Sequence, residues 1–188
     1  MKPWVRRLGR VCAALALVTI AAEAASRRWD TKKGCRLTDV PFTDADSLNV
    51  KWEREEFVLR LHHVDAPCAD ERLSQRNTAH LRYFGITAAE STEVGKEAVK
   101  FVRKTLPREF VARAVDQDTV GTSNQPVRYG TITTADGRDL AELLVQNGFA
   151  IIRGFNVAEE GADKIQKLKE LELEAKTEKR GAWKLSHR

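Results

Sequence analysis

Cysteine is scarce in this chain, with three in 188 residues. That excludes a small scaffold held together by disulfides. Cys12 falls in an N-terminal segment read below as a leader, so only Cys35 and Cys68 remain. From the sequence they could pair with each other, stay as thiols, or bridge to another molecule. Long apolar runs are also missing. The one candidate, Val11 to Ala22, is too short to span a bilayer comfortably. There is no internal repeat. The closing helical segment has too narrow an apolar stripe for a coiled-coil dimer, and a monomer is expected. Nor is there a strong charge of one sign. The net charge is +5, and the first 24 residues supply +3 of it, leaving +2. That balance is compatible with a nucleic-acid partner but does not argue for one.

The N-terminus reads as an export signal. Lys2, Arg6, Arg7 and Arg10 precede the short apolar run, and Ala22-Glu23-Ala24 offers a small-x-small cleavage site. An uncleaved anchor is the alternative; Arg6-Arg7 also fits a twin-arginine signal, though its flanks are weak for one. The expected organisation is a signal peptide over 1–24, a flexible lead-in over 25–34 and one folded domain over 35–185. The expected location is periplasmic or secreted, with no stable membrane association once the leader is removed.

Within the domain, Leu48 to Trp52 alternates apolar and polar residues as a half-buried strand does. Glu53-Arg54-Glu55-Glu56 is a charged turn, and Phe57 to Val64 returns as the second arm of a hairpin. Cys68 to Phe84 is polar without a clear period and reads as a long surface loop. Thr87-Ala88-Ala89-Glu90 is a capping box that opens a helix ending before Pro107. Phe110 to Val115 and Val127 to Thr133 read as strands around a Gly121-to-Asn124 loop. Asp139 caps a helix from Leu140 to Asn147, which Gly148 terminates. Phe149 to Ile152 is a short strand. Ala158 to about Arg180 is a charged helix with Ile165, Leu168, Leu171 and Ala175 on one stripe. Gly181 ends it, and Trp183 docks on the body. The order predicts an α+β domain with a β-barrel core.

One stretch stands out. Arg60 sits inside an apolar strand that ends in Val64-Asp65-Ala66-Pro67. Asp44-Ala45-Asp46-Ser47 lies upstream, and Val127-Arg128-Tyr129-Gly130 precedes Ala135-Asp136-Gly137 downstream. With the helix from Leu140 and the closing Gly181-Ala182-Trp183, these motifs resemble, in order, those of the staphylococcal-nuclease-like (thermonuclease) family. The resemblance implies a five-stranded OB-type barrel with about three packed helices. It implies a calcium-dependent nuclease that hydrolyses phosphodiester bonds of DNA or RNA with little sequence preference. Asp46 and Asp65 would be the metal carboxylates, with the Ala66 carbonyl as a further oxygen ligand. Arg60 and Arg128 would hold the phosphate.

Each residue also has a plainer reading. Asp46 could be an ordinary turn carboxylate, Asp65 or Glu56 only a charge partner for Arg60, and Arg128 a surface strand residue. His62 and His63 should point to opposite faces of a strand and so form no chelate. Tyr129 could stack on a base or only pack.

The departure is Cys68, which occupies the position where the family carries a glutamate assigned as general base. A neutral thiol offers neither a carboxylate's charge nor its two acceptor oxygens. Glu71, just beyond, is the candidate replacement, with Asp70 beside it. Without one, the chain would be a weakened enzyme or a non-catalytic module that binds nucleic acid or protein.

Overall fold

A computed structural model describes residues 29–116, 126–153 and 161–188. The proposed leader lies outside these residues, as do the Gly121-to-Asn124 loop and the first residues of the closing helix.

Five strands close into a barrel in the order β1-β2-β3-β6-β5: β1 (Asp30–Leu37), β2 (Ser47–Trp52), β3 (Glu55–Leu61), β5 (Phe110–Asp116) and β6 (Val127–Thr133). Alternation along the strands decides what fills the barrel. Phe57, Leu59 and Leu61 of β3 point inward and are buried, as are Leu48 and Val50 of β2 and Ala112 and Ala114 of β5. Arg60 therefore lies on the outer face of β3. All barrel pairings are antiparallel except β3 with β6, which run parallel and set Arg60 opposite Tyr129. The chain between these two strands contains helix α2 (Ala88–Thr105), as a parallel pair requires a long crossover. Thr87 and Glu90 cap α2 reciprocally, forming the expected box. Two further helices, α3 (Leu140–Gln146) and α4 (Gly161–Thr177), pack on each other. Asp139 caps α3, and Leu168, Leu171 and Ala175 form the buried stripe of α4.

Outside the barrel, β4 (Val64–Asp65) and β7 (Ile151–Ile152) form a separate two-stranded sheet. It joins the end of the Arg60 strand to the segment that follows α3.

Several expectations are corrected. The lead-in over 25–34 is not wholly flexible, because β1 begins at Asp30 and pairs with β5. The charged turn shortens to Glu53 and Arg54, with Glu55 and Glu56 already in the ladder opposite Trp52 and Lys51. The long loop is largely helical: a 3-10 segment, Glu71–Asn77, leads into α1 (Thr78–Phe84), giving four α-helices among the described residues. Asp70 caps the 3-10 segment by accepting from the Arg72 amide, and Gly85, at φ 71°, ends α1. The buried residues of these turns are Asn77, His80 and Phe84, two of them polar, so hydrophobic periodicity is faint there. Trp183 does dock: its ring packs edge-on to Phe84 at 4.8 Å.

The two histidines do not lie on opposite faces. β3 ends at Leu61, and His63 adopts a left-handed backbone at φ 68°, which brings the rings to 5.6 Å between centroids. The cysteines are unpaired thiols in separate places. Cys35 lies in the barrel wall, opposite Phe110, and Cys68 lies at a bridge with Asp44.

Candidate active site

The site is assembled by main-chain bonds before any side chain enters. The Leu61 amide donates to the Asp46 carbonyl at 2.7 Å, and Ser47 pairs with Arg60 in the β2–β3 ladder. Asp46 is thereby fixed beside the Arg60 strand. The Ala69 amide donates to the Thr43 carbonyl, holding the Pro67-to-Ala69 stretch against the Asp44 turn. The same stretch is clamped from two other directions. Asn77, fully buried, accepts from the Cys68 amide at 2.7 Å and donates to the Cys68 carbonyl at 3.1 Å. Gly95 of α2 lies directly behind it, where a Cβ would stand 2.6 Å from the Pro67 carbonyl oxygen. Only glycine lets the helix approach that closely. We expect Asn77→Ala to leave the Cys68 amide and carbonyl buried without partners. The predicted loss is about 2–4 kcal/mol of stability, read as a lowered urea midpoint with an unchanged m-value.

A cavity of about 240 Å³ opens on this frame, lined by Asp44, Arg60, Asp65, Cys68, Arg76 and Arg153 among others. Asp65 is its centre. Arg60 Nη2 approaches Asp65 Oδ1 at 3.5 Å, and Arg153 Nη1 bonds Asp65 Oδ2. Arg60 Nε also lies 3.8 Å from Asp46 Oδ2. Arg76 Nη2 donates to Asp44 Oδ2 at 2.8 Å. His80 comes from α1 and is buried; its Nε2 donates to the Asp65 carbonyl at 3.1 Å. That bond fixes the tautomer, since a carbonyl only accepts. Burial holds the His80 pKa below the usual histidine range against the pull of Asp65, so the ring is neutral near pH 7.

Asp46 is the least comfortable group. It is 1% exposed, and its Oδ2 accepts no hydrogen bond. Burial pushes its pKa up to about 7; Arg60 pulls it back, and Asp65 and Asp44 push it further up. A buried carboxylate oxygen without a donor, beside a second carboxylate, fits a hard cation. Among the described residues no three His, Cys, Asp or Glu side chains form a metal-binding group. A cation here would therefore rest on two carboxylates together with main-chain and solvent oxygens.

The sequence-predicted residues divide. Asp46, Asp65, Ala66 and Arg60 are brought together. Arg128 is not: its Nη1 pairs with Glu55 at 2.9 Å and its guanidinium lies 4.4 Å over the Phe57 ring. It stands opposite Leu59 in the ladder, whereas Arg60 points outward. Glu71 does not replace the missing base either. Its carboxylate bonds Lys96 of α2 at 2.7 Å and is three-quarters exposed, outside the cavity. Asp70 is occupied in capping and with Arg72. Cys68 lies at the cavity edge with Sγ 4.0 Å from Arg76 Nη1. Burial and the neighbouring Asp44 raise its pKa, so it stays a neutral thiol. Asp44, Arg76, His80 and Arg153 were not foreseen as site residues. Arg153 alone left a signal, an arginine closing an apolar strand just as Arg60 interrupts one.

A closed five-stranded barrel with helices packed on it defines an OB-type α+β domain. The staphylococcal nuclease homologue family matches residues 58–185, about two thirds of the chain, and the chain belongs to that family. No curated protein matches it individually.

Proposed function

We propose that this chain is an exported, calcium-dependent phosphodiesterase that cleaves DNA or RNA with little sequence preference, and that its turnover is weakened at Cys68. The observation that carries the reading is Asp65. A guanidinium sits on each of its carboxylate oxygens at the cavity wall, and the Asp46 oxygen that accepts no hydrogen bond lies buried behind Arg60. Asp46 and Asp65, with the Ala66 carbonyl, would hold the ion. Calcium bound there would polarise a phosphoryl oxygen as a Lewis acid. Arg60 is held beside both carboxylates, where its planar fork can take two phosphate oxygens and offset charge that grows in the transition state. Export rests on the leader. Among the described residues no helix is long and apolar enough to cross a membrane.

The second reading is a barrel that binds nucleic acid without cleaving it. It is favoured by the neutral thiol at position 68 and by Glu71 being held on Lys96. The test is cleavage of single- and double-stranded DNA and RNA by the purified protein, with calcium and with chelator. The nuclease reading expects calcium-dependent cleavage that Arg60→Ala lowers by about 10²-fold or more. Oligonucleotide binding with no cleavage at any calcium concentration would favour the binding module. Neither binding nor cleavage would sink both.

A further inference from the structure

We propose that Arg153 supplies the second guanidinium that holds the substrate phosphate, and that Arg128 does not. This rests on the phosphodiesterase reading above.

The main chain sets Arg153 in place. Its amide donates to the His63 carbonyl at 2.8 Å, one step beyond the pairing of Val64 with Ile152. The side chain then crosses to Asp65 from the side opposite Arg60. Arg60 takes Oδ1 and Arg153 takes Oδ2, so the two forks bracket one carboxylate and line the same cavity.

Local charge shows what this arrangement is short of. The cavity wall carries three guanidinium groups, from Arg60, Arg76 and Arg153, against the carboxylates of Asp44 and Asp65. Asp46 is recessed behind the wall. When a cation claims the carboxylate oxygens, the two arginines on Asp65 lose their acceptor and require another anion. A phosphodiester is one, with oxygens matched to a bidentate fork.

Exposure separates Arg153 from a purely structural arginine. Its side chain is 61% exposed, against 10% for Asp65, so it can turn toward a ligand without disturbing the core. Arg128, at 14%, is wedged between Glu55 and the Phe57 ring. Moving it would break an ion pair and a ring contact.

The test uses the full chain and two readouts. One is the anisotropy of a labelled single-stranded phosphorothioate oligonucleotide that resists cleavage, measured with calcium. The other is steady-state cleavage with calcium. Arg153→Ala should weaken oligonucleotide binding about tenfold and lower kcat/KM about 10²-fold, shared about evenly between KM and kcat. Arg153→Lys should recover only part of either, because an ammonium has no fork. Arg128→Ala should lose less than Arg153→Ala in both. The proposal is overturned if Arg153→Ala binds and cleaves within twofold of the parent, or if Arg128→Ala suffers the larger loss. A parent protein that neither binds nor cleaves removes the nuclease reading and this inference together. Binding without cleavage leaves the anisotropy comparison to decide the role of Arg153.

Discussion

Replacing Cys68 with glutamate should raise calcium-dependent cleavage by about 10²–10⁴-fold, the usual worth of a positioned general base. The position is ready to receive a carboxylate. Its main chain is fixed on both sides by Asn77, so a new side chain does not choose where it starts. Arg76 stands 4.0 Å from the sulfur and provides a cationic neighbour. Among the described residues neither Glu71 nor Asp70 takes the role, since Glu71 is exposed on Lys96 and Asp70 is taken up in capping and by Arg72. The measurement is kcat at saturating oligonucleotide, with calcium titrated in each variant. A variant that binds calcium and oligonucleotide as the parent does, yet gains no rate, would show that position 68 is not what limits turnover.

Asp46→Asn should do the reverse to function while raising stability. The variant keeps the shape of a side chain whose Oδ2 accepts no hydrogen bond, and it removes a buried charge whose ion pair is with a partly exposed Arg60. In chelator we expect a gain of about 1–3 kcal/mol and a visibly higher Tm; with the chelator removed, titration calorimetry should show that calcium binding is lost. The advantage should depend on pH with a definite sign. The native pKa of Asp46 is raised to about 7. Above that pH the parent buries a charge that the variant lacks, and the gap is widest. As pH falls below 7 the native parent takes up a proton that its unfolded chain does not yet bind, so the gap narrows and closes near pH 4. A variant less stable than its parent at pH 8 in chelator would mean that Arg60 more than offsets the burial.

How much of this was legible in the sequence follows from what kind of signal each part leaves. The barrel was readable because strands with one buried face alternate, as Leu48 to Trp52 and Phe57 to Leu61 do. Helix α2 was readable because Thr87 and Glu90 form a cap with a fixed spacing. Asp46, Arg60 and Asp65 were readable because they lie in short motifs at the ends of those strands. The 3-10 segment and α1 were not, because two of their three buried side chains, Asn77 and His80, are polar and serve the Cys68 loop and Asp65. Arg128 stands apart from Arg60 for a different reason. Strand alternation gives two faces but not which one a residue near a strand's beginning will take, and Phe57 and Glu55 drew it away from Arg60. Arg153 depends on a pairing across 88 residues of chain, which no local pattern carries.

That pairing has a kinetic consequence. β4 and β7 meet over only two rungs, whereas the barrel strands on either side share longer ladders. Short ladders open at lower free energy than the structure as a whole. The β4–β7 pairing between Asp65 and Arg153 is therefore one of the places where this molecule opens locally, as is the equally short β1–β2 register. The amides of Ile152 and Arg153 then exchange with solvent through local opening, on a clock separate from that of the core. How often that pairing re-forms sets how long both arginines face the same carboxylate.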